Sequence, residues 1–403
     1  MIINLKKIGP GLLFAGAAIG VSHLVQSTRA GADFGWGLLW ALLLANLFKY
    51  PFFQFGTRFS LATQKSILDG YAAMGKGYLW LFFVLSLGTM FTIQTAVTIV
   101  TASLASTLFG VTTNLVVWSI GITLFCLLLL WFGSYRLLDK IIKWIILMLT
   151  ISTVVAVLFA AEQNQNTLSL IPYFPDETSI LFLAAFMGWM PAPLDVSIWQ
   201  SLWALEKSKT TKITLKEGLF DFNVGYIVTL LLGCCFMGLG AFVMFDTGTP
   251  FSNNGGAFAK QLIELYTATL GNSIYVIIGV AAFTTMFSTT LTTLDASPRA
   301  MAKTTELLVN QPTKFTYRFW ILVLVIGTSS IFLFLLNEMG TLVQIATVLS
   351  FVTAPIYAYL NYRLVNSEQM PKAHRPSIGL NRLSQIGLLF LLLFAGGFVI
   401  LMI

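Results

Sequence analysis

The chain has 403 residues, of which 57% are hydrophobic and only 10% are charged, and its mean hydropathy is +0.84. A soluble domain carries about 25% charged residues, so these values exclude a soluble enzyme, a disordered chain and a collagen-like fibre. The formal net charge of +7 is large enough to suit a nucleic-acid partner, and the distribution of the cations along the chain decides whether it does.

Long, nearly continuous apolar runs predict membrane-spanning helices. A helix needs about 20 residues to cross a bilayer, whereas β-barrel strands alternate apolar and polar residues over about ten positions. Because backbone groups in lipid must pair internally, such runs must be helical. The predicted spans are 9–30, 35–56, 78–108, 113–133, 141–161, 179–204, 218–245, 267–297, 316–336, 339–362 and 383–402. The longest connection, 246–266, is too short for a soluble domain, so we expect a single transmembrane domain over residues 1–403.

The lysines and arginines indicate how the chain is oriented in the membrane. With the N-terminus inside, most of the 23 cations fall in inner segments, including Lys6, Lys7 and the run 207–216, while Glu162 and Asp176 fall in outer loops. This bias predicts a cytoplasmic N-terminus and an external C-terminus. No basic soluble module remains to bind nucleic acid, so we expect the partners to be lipid and a small transported ion or solute. The expected location is a cell membrane, with a bacterial inner membrane as the default.

Two of the predicted spans are interrupted near their centres. In the first, Gly20 and Ser22 are poor helix formers and precede the ionisable His23. In the sixth, Pro191 and Pro193 each remove a helical N–H donor. Paired broken helices at corresponding positions indicate the binding site of a secondary transporter.

The spacing of the two interrupted spans predicts an internal repeat. The spans are five helices apart, as expected for inverted five-helix repeats covering about 9–161 and 179–362, followed by an additional helix at about 383–402. We therefore expect an all-α integral membrane protein.

The sequence resembles the Nramp (natural resistance-associated macrophage protein) family of divalent-metal transporters. The resemblance rests on five strings, namely Gly9-Pro10-Gly11, 20–32, 49–53, Met190-Pro191 and 287–295. It covers about the first ten spans. It implies a LeuT-like fold of two inverted five-helix repeats plus an eleventh helix, with the site between broken helices 1 and 6.

The first-span motif departs from the family pattern. The family has Asp-Pro-Gly-Asn, whose Asp and Asn coordinate the metal, where this chain has Gly20-Val21-Ser22-His23. Gly20 therefore replaces the metal-binding carboxylate, and His23 replaces the asparagine.

Other family positions also differ in ways that affect proton movement. The sixth-span motif Met-Pro-His becomes Met190-Pro191-Ala192, which keeps the methionine ligand and loses the histidine linked to proton movement. Gln94 stands near the position of an acidic residue in the family's proton path. Thr353 aligns with a glutamine near the family's site.

The resemblance implies a substrate site built from side chains and freed backbone carbonyls. Its expected members are Ala17, Gly20, Ser22, His23, Met187, Met190 and Thr353. If the cargo is a metal, His23 and Met190 are the expected side-chain ligands. Residues expected to gate or couple transport are Gln94, Lys49, Asp195, Asp295 and Arg299.

Charged residues inside the spans need partners. Asp295 and Arg299 are four residues apart and can pair on one helix face. A buried Lys49 is costly unless paired, and Asp195 or Asp295 are its candidate partners. The alternative to a coupling role for these residues is structural ion pairing.

Two transport functions remain open from the sequence. The first is movement of a small ion, by resemblance a divalent metal cation, through a remodelled site with weakened or absent proton coupling. The second is the same fold carrying bicarbonate or another small anion or solute, because hard dications prefer carboxylate ligands and half-helix N-termini favour negative charge.

Catalysis is not expected. Only two histidines are present, His23 and His374, and no acid–base or nucleophile arrangement is visible. No phosphate-binding loop for ATP-driven transport is present. We expect no cofactor and a monomer.

Overall fold

A computed structural model describes residues 9–133, 135–163, 170–174, 179–245, 252, 257, 260, 261, 263, 264, 271–311, 316–335 and 339–402. Within this part the secondary structure is helical, which confirms the all-α prediction. The helices are α1 Pro10–Ala18, α2 Thr28–Phe34, α3 Leu39–Thr63, α4 Ile67–Met74, α5 Lys76–Phe109, α6 Leu115–Phe132, α7 Tyr135–Gln163, α8 Ile180–Trp189, α9 Val196–Ser208, α10 Leu215–Val243, α11 Asn272–Val309, α12 Thr316–Phe334, α13 Met339–Asn366 and α14 Ile378–Met402. A π-helical segment, Ser22–Ser27, precedes α2, and a 3-10 turn, Lys372–His374, precedes α14.

The predicted spans correspond to these helices. Among the described residues, seven helices are long and apolar enough to cross a membrane, and the bent pair Pro10–Ala18 and Ser22–Phe34 makes an eighth candidate. The remaining predicted spans correspond to α3, the short pair α8 and α9, and α13. The chain is therefore a multi-pass membrane protein, while the predicted loop 246–266 lies largely outside the described residues.

Burial separates central helices from peripheral ones. The apolar windows of α5, α10 and α11 are 61%, 61% and 67% buried, whereas those of α6, α7 and α14 are only 22%, 28% and 22% buried. The peripheral helices expose large apolar side chains such as Leu128 and Leu393. In a membrane these faces contact lipid, so the polar residues of the central helices are the ones that can form a site.

The structure has a helix interruption at both of the predicted positions. The axes of α1 and the following Ser22–Phe34 segment differ by 53°. In the sixth span, α8 ends at Trp189 and α9 begins at Val196, with Pro191 and Pro193 between them. We call these the first break and the sixth break.

The start of α1 is held by a carboxylate from another helix. Asp221 on α10 accepts hydrogen bonds from the backbone N–H groups of Gly9, at 3.0 Å, and Gly11, at 2.7 Å. These N–H groups have no intrahelical acceptor, and a carboxylate at a helix N-terminus is stabilising. A Cβ at Gly11 would lie 2.0 Å from the Asp221 carbonyl oxygen. The Gly9-Pro10-Gly11 string thus has a packing reason of its own.

Candidate substrate site

Carbonyl groups released at the first break are bound by hydroxyl groups of α11. The Ser288 hydroxyl lies 3.3 Å from the Gly16 carbonyl oxygen. The Thr289 hydroxyl lies 3.1 Å from the Gly16 oxygen and 2.8 Å from the Ile19 oxygen. Each hydroxyl has one proton to donate, and each also lies near the Thr285 carbonyl oxygen of its own helix, at 2.7 Å for Ser288 and 3.2 Å for Thr289. The shortest contact with the first break is therefore that of Thr289 with Ile19.

Thr289 also occupies the space beside Gly20. A Cβ built on Gly20 would lie 2.8 Å from both Oγ1 and Cγ2 of Thr289, which is closer than side chains pack. Any larger residue here would have to displace Thr289 from the carbonyls that it binds. A carboxylate side chain at position 20 would therefore collide with Thr289 in this structure.

An ammonium group fills the sixth break. Lys49 Nζ donates to the carbonyl oxygens of Met187 at 2.9 Å, Gly188 at 2.5 Å and Met190 at 2.7 Å. The lysine is 1% exposed. We call these three carbonyl groups the carbonyl cradle. The sequence argument expected a carboxylate partner, Asp195 or Asp295, and that expectation is wrong because carbonyls at the C-terminal end of α8 bind the ammonium.

His23 uses both ring nitrogens within the protein. Nε2 lies 3.1 Å from the Thr229 carbonyl oxygen, and Nδ1 lies 2.9 Å from the Ser22 hydroxyl. A carbonyl can only accept, so Nε2 carries the proton. The Ser22 hydroxyl beside Nδ1 also lies 3.1 Å from the Ala18 carbonyl oxygen, and its single proton can serve either acceptor. Nδ1 is therefore the ring nitrogen that could bind a metal.

His23 and Met190 both lie near Gly233 on α10. His23 Cδ2 and Met190 Cε are each 3.6 Å from the position that a Cβ would take at Gly233. Both side chains are fully buried. The glycine at position 233 leaves room for both of them.

A small cavity of about 30 Å³ lies between the two breaks. Ala17, Gly20 and Ser22 line it from the first break, and Trp189 lines it from the sixth. Its remaining lining residues are Ala18, Val21, Ile93, Val97, Pro193, Val196, Trp199, Thr289 and Thr293. By this kind of measure a single water needs about 10–15 Å³, so the cavity is small in this conformation.

Two indole groups beside this cavity have unused hydrogen-bond donors. Trp189 and Trp199 both line it and are 4% and 3% exposed, and neither Nε1 atom has a partner in the described part of the chain. An indole N–H can only donate. Among the described residues that line the cavity, no side chain carries a charge of either sign.

The other expected substrate residues lie outside the lining of this cavity. Met187 contributes its carbonyl to Lys49, and His23 and Met190 both lie near Gly233. Thr353 on α13 is buried and its hydroxyl donates to the Ser350 carbonyl at 3.3 Å. The structure thus brings Ala17, Gly20 and Ser22 to one cavity.

Gln94 and Asp195, two of the residues expected to couple transport, differ in how completely they are hydrogen-bonded. Gln94 on α5 is buried, accepts from the Thr293 hydroxyl at 2.7 Å and donates to the Thr290 carbonyl at 3.3 Å. Its amide therefore joins α5 to α11. Asp195 is 4% exposed, and its Oδ1 has no partner among the described residues.

Asp295 and Arg299 pair as predicted. Arg299 donates to Asp295 at 2.6 Å, and the same carboxylate accepts from Trp203 Nε1 at 3.0 Å and from the Tyr317 hydroxyl at 2.9 Å. This network joins α9, α11 and α12. Its satisfied partners fit the structural alternative that the sequence left open.

Sequence reasoning missed Thr289, Trp189 and Trp199. Ser288 and Thr289 stood inside a string that was read for resemblance alone, although a run of hydroxyl residues in an apolar helix signals bonds to a neighbouring backbone. No motif or spacing in the sequence singles out the two tryptophans. Only the fold brings their N–H groups to the breaks.

Comparison with known sequences supports the family resemblance seen in the sequence. The sequence profile described as natural resistance-associated macrophage protein-like matches residues 11–401. An uncharacterised protein of Pasteurella multocida is 36% identical over 95% of this chain and 89% of its own length. A Yersinia pestis protein named divalent metal cation transporter MntH is 23% identical over 72% of this chain and 70% of its own length.

Solved structures resemble the fold at low sequence identity. The Eremococcus coleocola manganese transporter superposes with a TM-score of 0.73 at 13% identity, covering 97% of this chain and 85% of that chain. A Na⁺-coupled sialic acid symporter gives a TM-score of 0.60 at 14% identity, covering 95% and 88%. These likenesses confirm the LeuT-like fold.

Proposed function

The chain belongs to the Nramp family, and from that premise we propose that it is a secondary transporter carrying a small anion, such as bicarbonate, through the cavity between its breaks. As a member of this family it is a membrane transporter and not an enzyme. The substrate class and the remodelled site are our proposal.

One observation carries the choice of an anion: a fixed cation, Lys49, is bound at the sixth break next to the cavity, and no carboxylate is among the described residues that line the cavity. Lys49 donates to all three cradle carbonyls, and Thr289 packs where a side chain at Gly20 would stand. A dication beside a buried ammonium would lack the carboxylates that such ions prefer. A small anion would instead gain from the positive charge.

Neutral donors around the cavity support the same choice. The indole N–H groups of Trp189 and Trp199 are unpartnered, and Val196, the first residue of α9, lines the cavity. The N-terminal end of a helix carries a partial positive charge. Half-helix N-termini serve anionic groups in transporters of this architecture.

A divalent metal is the second candidate. The names of the Yersinia pestis relative and of the Eremococcus coleocola structure favour it, as does the place of Met190 beside the sixth break. For His23 and Met190 to bind a metal, His23 would have to give up its Ser22 hydrogen bond. Lys49 would also have to leave the Met187 carbonyl.

We propose weakened or absent proton coupling. Ala192 and Gln94 stand where the family's proton path has ionisable groups, and the Gln94 amide is committed to Thr293 and Thr290. Asp195, with one unpartnered oxygen, is the remaining buried carboxylate close to the sixth break. It is therefore the residue to test for any residual coupling.

Membrane placement completes the proposal. The cation bias along the sequence supports a cytoplasmic N-terminus and an external C-terminus. A bacterial inner membrane is the default location that we propose. We propose a monomer as the working unit, and the two five-helix repeats as its internal organisation.

Uptake into proteoliposomes tests the substrate class. Mn²⁺, Mg²⁺ and bicarbonate are supplied side by side, with an internal pH dye and protein-free vesicles as the blank. We expect bicarbonate flux above the blank, no flux of either metal and no coupled acidification. Metal flux without anion flux overturns the anion proposal, and strong substrate-dependent acidification overturns the proposal on coupling.

A further inference from the structure

Lys49 presents one donor for each carbonyl of the carbonyl cradle. An ammonium group has three N–H donors and no acceptor, and Nζ lies 2.5–2.9 Å from the oxygens of Met187, Gly188 and Met190. A neutral amine would turn its lone pair toward one of these oxygens. The three acceptors therefore match the charged form.

The positive charge is held by backbone dipoles. Among the described residues, no carboxylate lies within 4.0 Å of Lys49 Nζ, in contrast to Lys207 and Lys143, which both contact Asp139. The cradle lies at the C-terminal end of α8, where helix carbonyls carry a partial negative charge. A buried charge that lacks an acidic partner in this way needs a functional explanation.

The same three oxygens are what a small metal ion would use. Backbone carbonyls are ordinary ligands of hard cations, and the broken halves of transporter helices coordinate coupling ions through them. Lys49 and a free cation cannot bind the cradle together, because they need the same atoms and carry the same sign of charge.

We propose that Lys49 is a tethered cation, which permanently fills the carbonyl cradle and thereby sets the charge preference of the neighbouring cavity. Its side chain takes the place of a bound ion, so the sixth break keeps its shape without one. Trp189, between Gly188 and Met190, lines the cavity, which brings the cradle next to the substrate. The effect on charge preference rests on the proposed function, whereas occupation of the cradle does not.

The test removes the tether and offers a free cation in its place. Lys49→Ala is purified in detergent, and its thermal unfolding midpoint is followed during titration with ethylammonium or Mn²⁺. We expect a midpoint several degrees below that of the native chain, and a saturable rise with either cation. The native chain and Lys260→Ala, in which an exposed lysine is removed, should not respond.

Two further variants keep the result decisive. Lys49→Met retains most of the stem and should respond to Mn²⁺ as Lys49→Ala does, while Lys49→Arg, which keeps the charge, should not respond. A folded Lys49→Ala or Lys49→Met protein that ignores both cations overturns the proposal. Failure of both to fold, even when purified in ethylammonium, also overturns it, because a free cation would then not replace the tether.

Transport separates this inference from the proposed function. If Lys49→Ala gains a cation-dependent midpoint while the native chain carries no bicarbonate, the tethered cation stands and the anion proposal falls. If the native chain carries bicarbonate and Lys49→Ala carries it equally well, the influence of Lys49 on charge preference is overturned. The expected result is at least a tenfold loss of bicarbonate flux in Lys49→Ala.

Discussion

The carbonyl groups released at the first and sixth breaks have different kinds of partners. Each break interrupts a helix in the membrane interior, and each releases carbonyl groups that need partners. At the first break the partners are the uncharged hydroxyls of Ser288 and Thr289. At the sixth break the partner is the Lys49 ammonium.

This difference shows what a broken helix does and does not imply. Broken spans indicate a transporter site, but they do not by themselves require a bound cation, because side chains of the protein can bind the released carbonyls. The charge of those side chains then determines which solutes are favoured between the breaks. Here Lys49 supplies a positive charge at the sixth break, and Asp195, with one unpartnered oxygen, is the buried carboxylate close to it.

The largest effect on stability is expected for Gly20→Asp. A side chain at this position stands against Thr289, whose Oγ1 and Cγ2 lie 2.8 Å from the added Cβ. Overpacking costs about 1–3 kcal/mol, and moving the Thr289 hydroxyl leaves a buried acceptor unsatisfied at about 1–3 kcal/mol more. We therefore expect a loss of more than about 3 kcal/mol, measured by denaturation in detergent.

Two controls sharpen this result. Gly77→Asp, where nothing lies within 4 Å of an added Cβ, should cost far less than Gly20→Asp. Adding Thr289→Ala to Gly20→Asp should recover part of the loss. A Gly20→Asp protein as stable as the native chain would contradict the packing at the first break.

Thr289→Val is expected to have the next largest effect. The change keeps the shape of the side chain and removes the hydroxyl whose nearest acceptor is the Ile19 carbonyl at 2.8 Å. Leaving a buried acceptor unsatisfied costs about 1–3 kcal/mol. The measurement is the same denaturation experiment.

Thr284→Val on the same helix is the matched control. Its hydroxyl reaches only the preceding turn, at Val280 and Ala281, so its loss should change stability by about 0.5 kcal/mol or less. Equal effects of the two substitutions would mean that Thr289 does not support the first break.

The smallest effect on stability is expected for Trp199→Phe. Its Nε1 has no protein partner, whereas Trp203 Nε1 donates to the buried Asp295 carboxylate at 3.0 Å. Trp203→Phe should therefore destabilise the protein by about 1–3 kcal/mol more than Trp199→Phe.

Substrate affinity should follow the opposite order. Trp199→Phe should raise the bicarbonate concentration needed for half-maximal uptake, while Trp203→Phe should leave it nearly unchanged. Unaltered uptake by Trp199→Phe would remove this indole from the site.

The sequence predicted the helices and both breaks because long apolar runs and mid-span proline or glycine act locally. It also identified the Asp295–Arg299 pair, since four-residue spacing places both on one helix face. It could not identify the partner of Lys49, because backbone carbonyls leave no trace in residue types. The role of Thr289 likewise depends on α11 packing against α1, a contact between residues about 270 positions apart.

The central claim is that a side chain of the protein, and not a metal ion, occupies the carbonyl cradle. Its most direct test is an experimental structure of the native chain prepared in excess Mn²⁺, with anomalous scattering recorded at the manganese edge. The account predicts Lys49 Nζ on the carbonyls of Met187, Gly188 and Met190 and no manganese peak between the breaks. A manganese peak bound to the Met187 carbonyl and the Met190 sulfur, with Lys49 displaced, would contradict it.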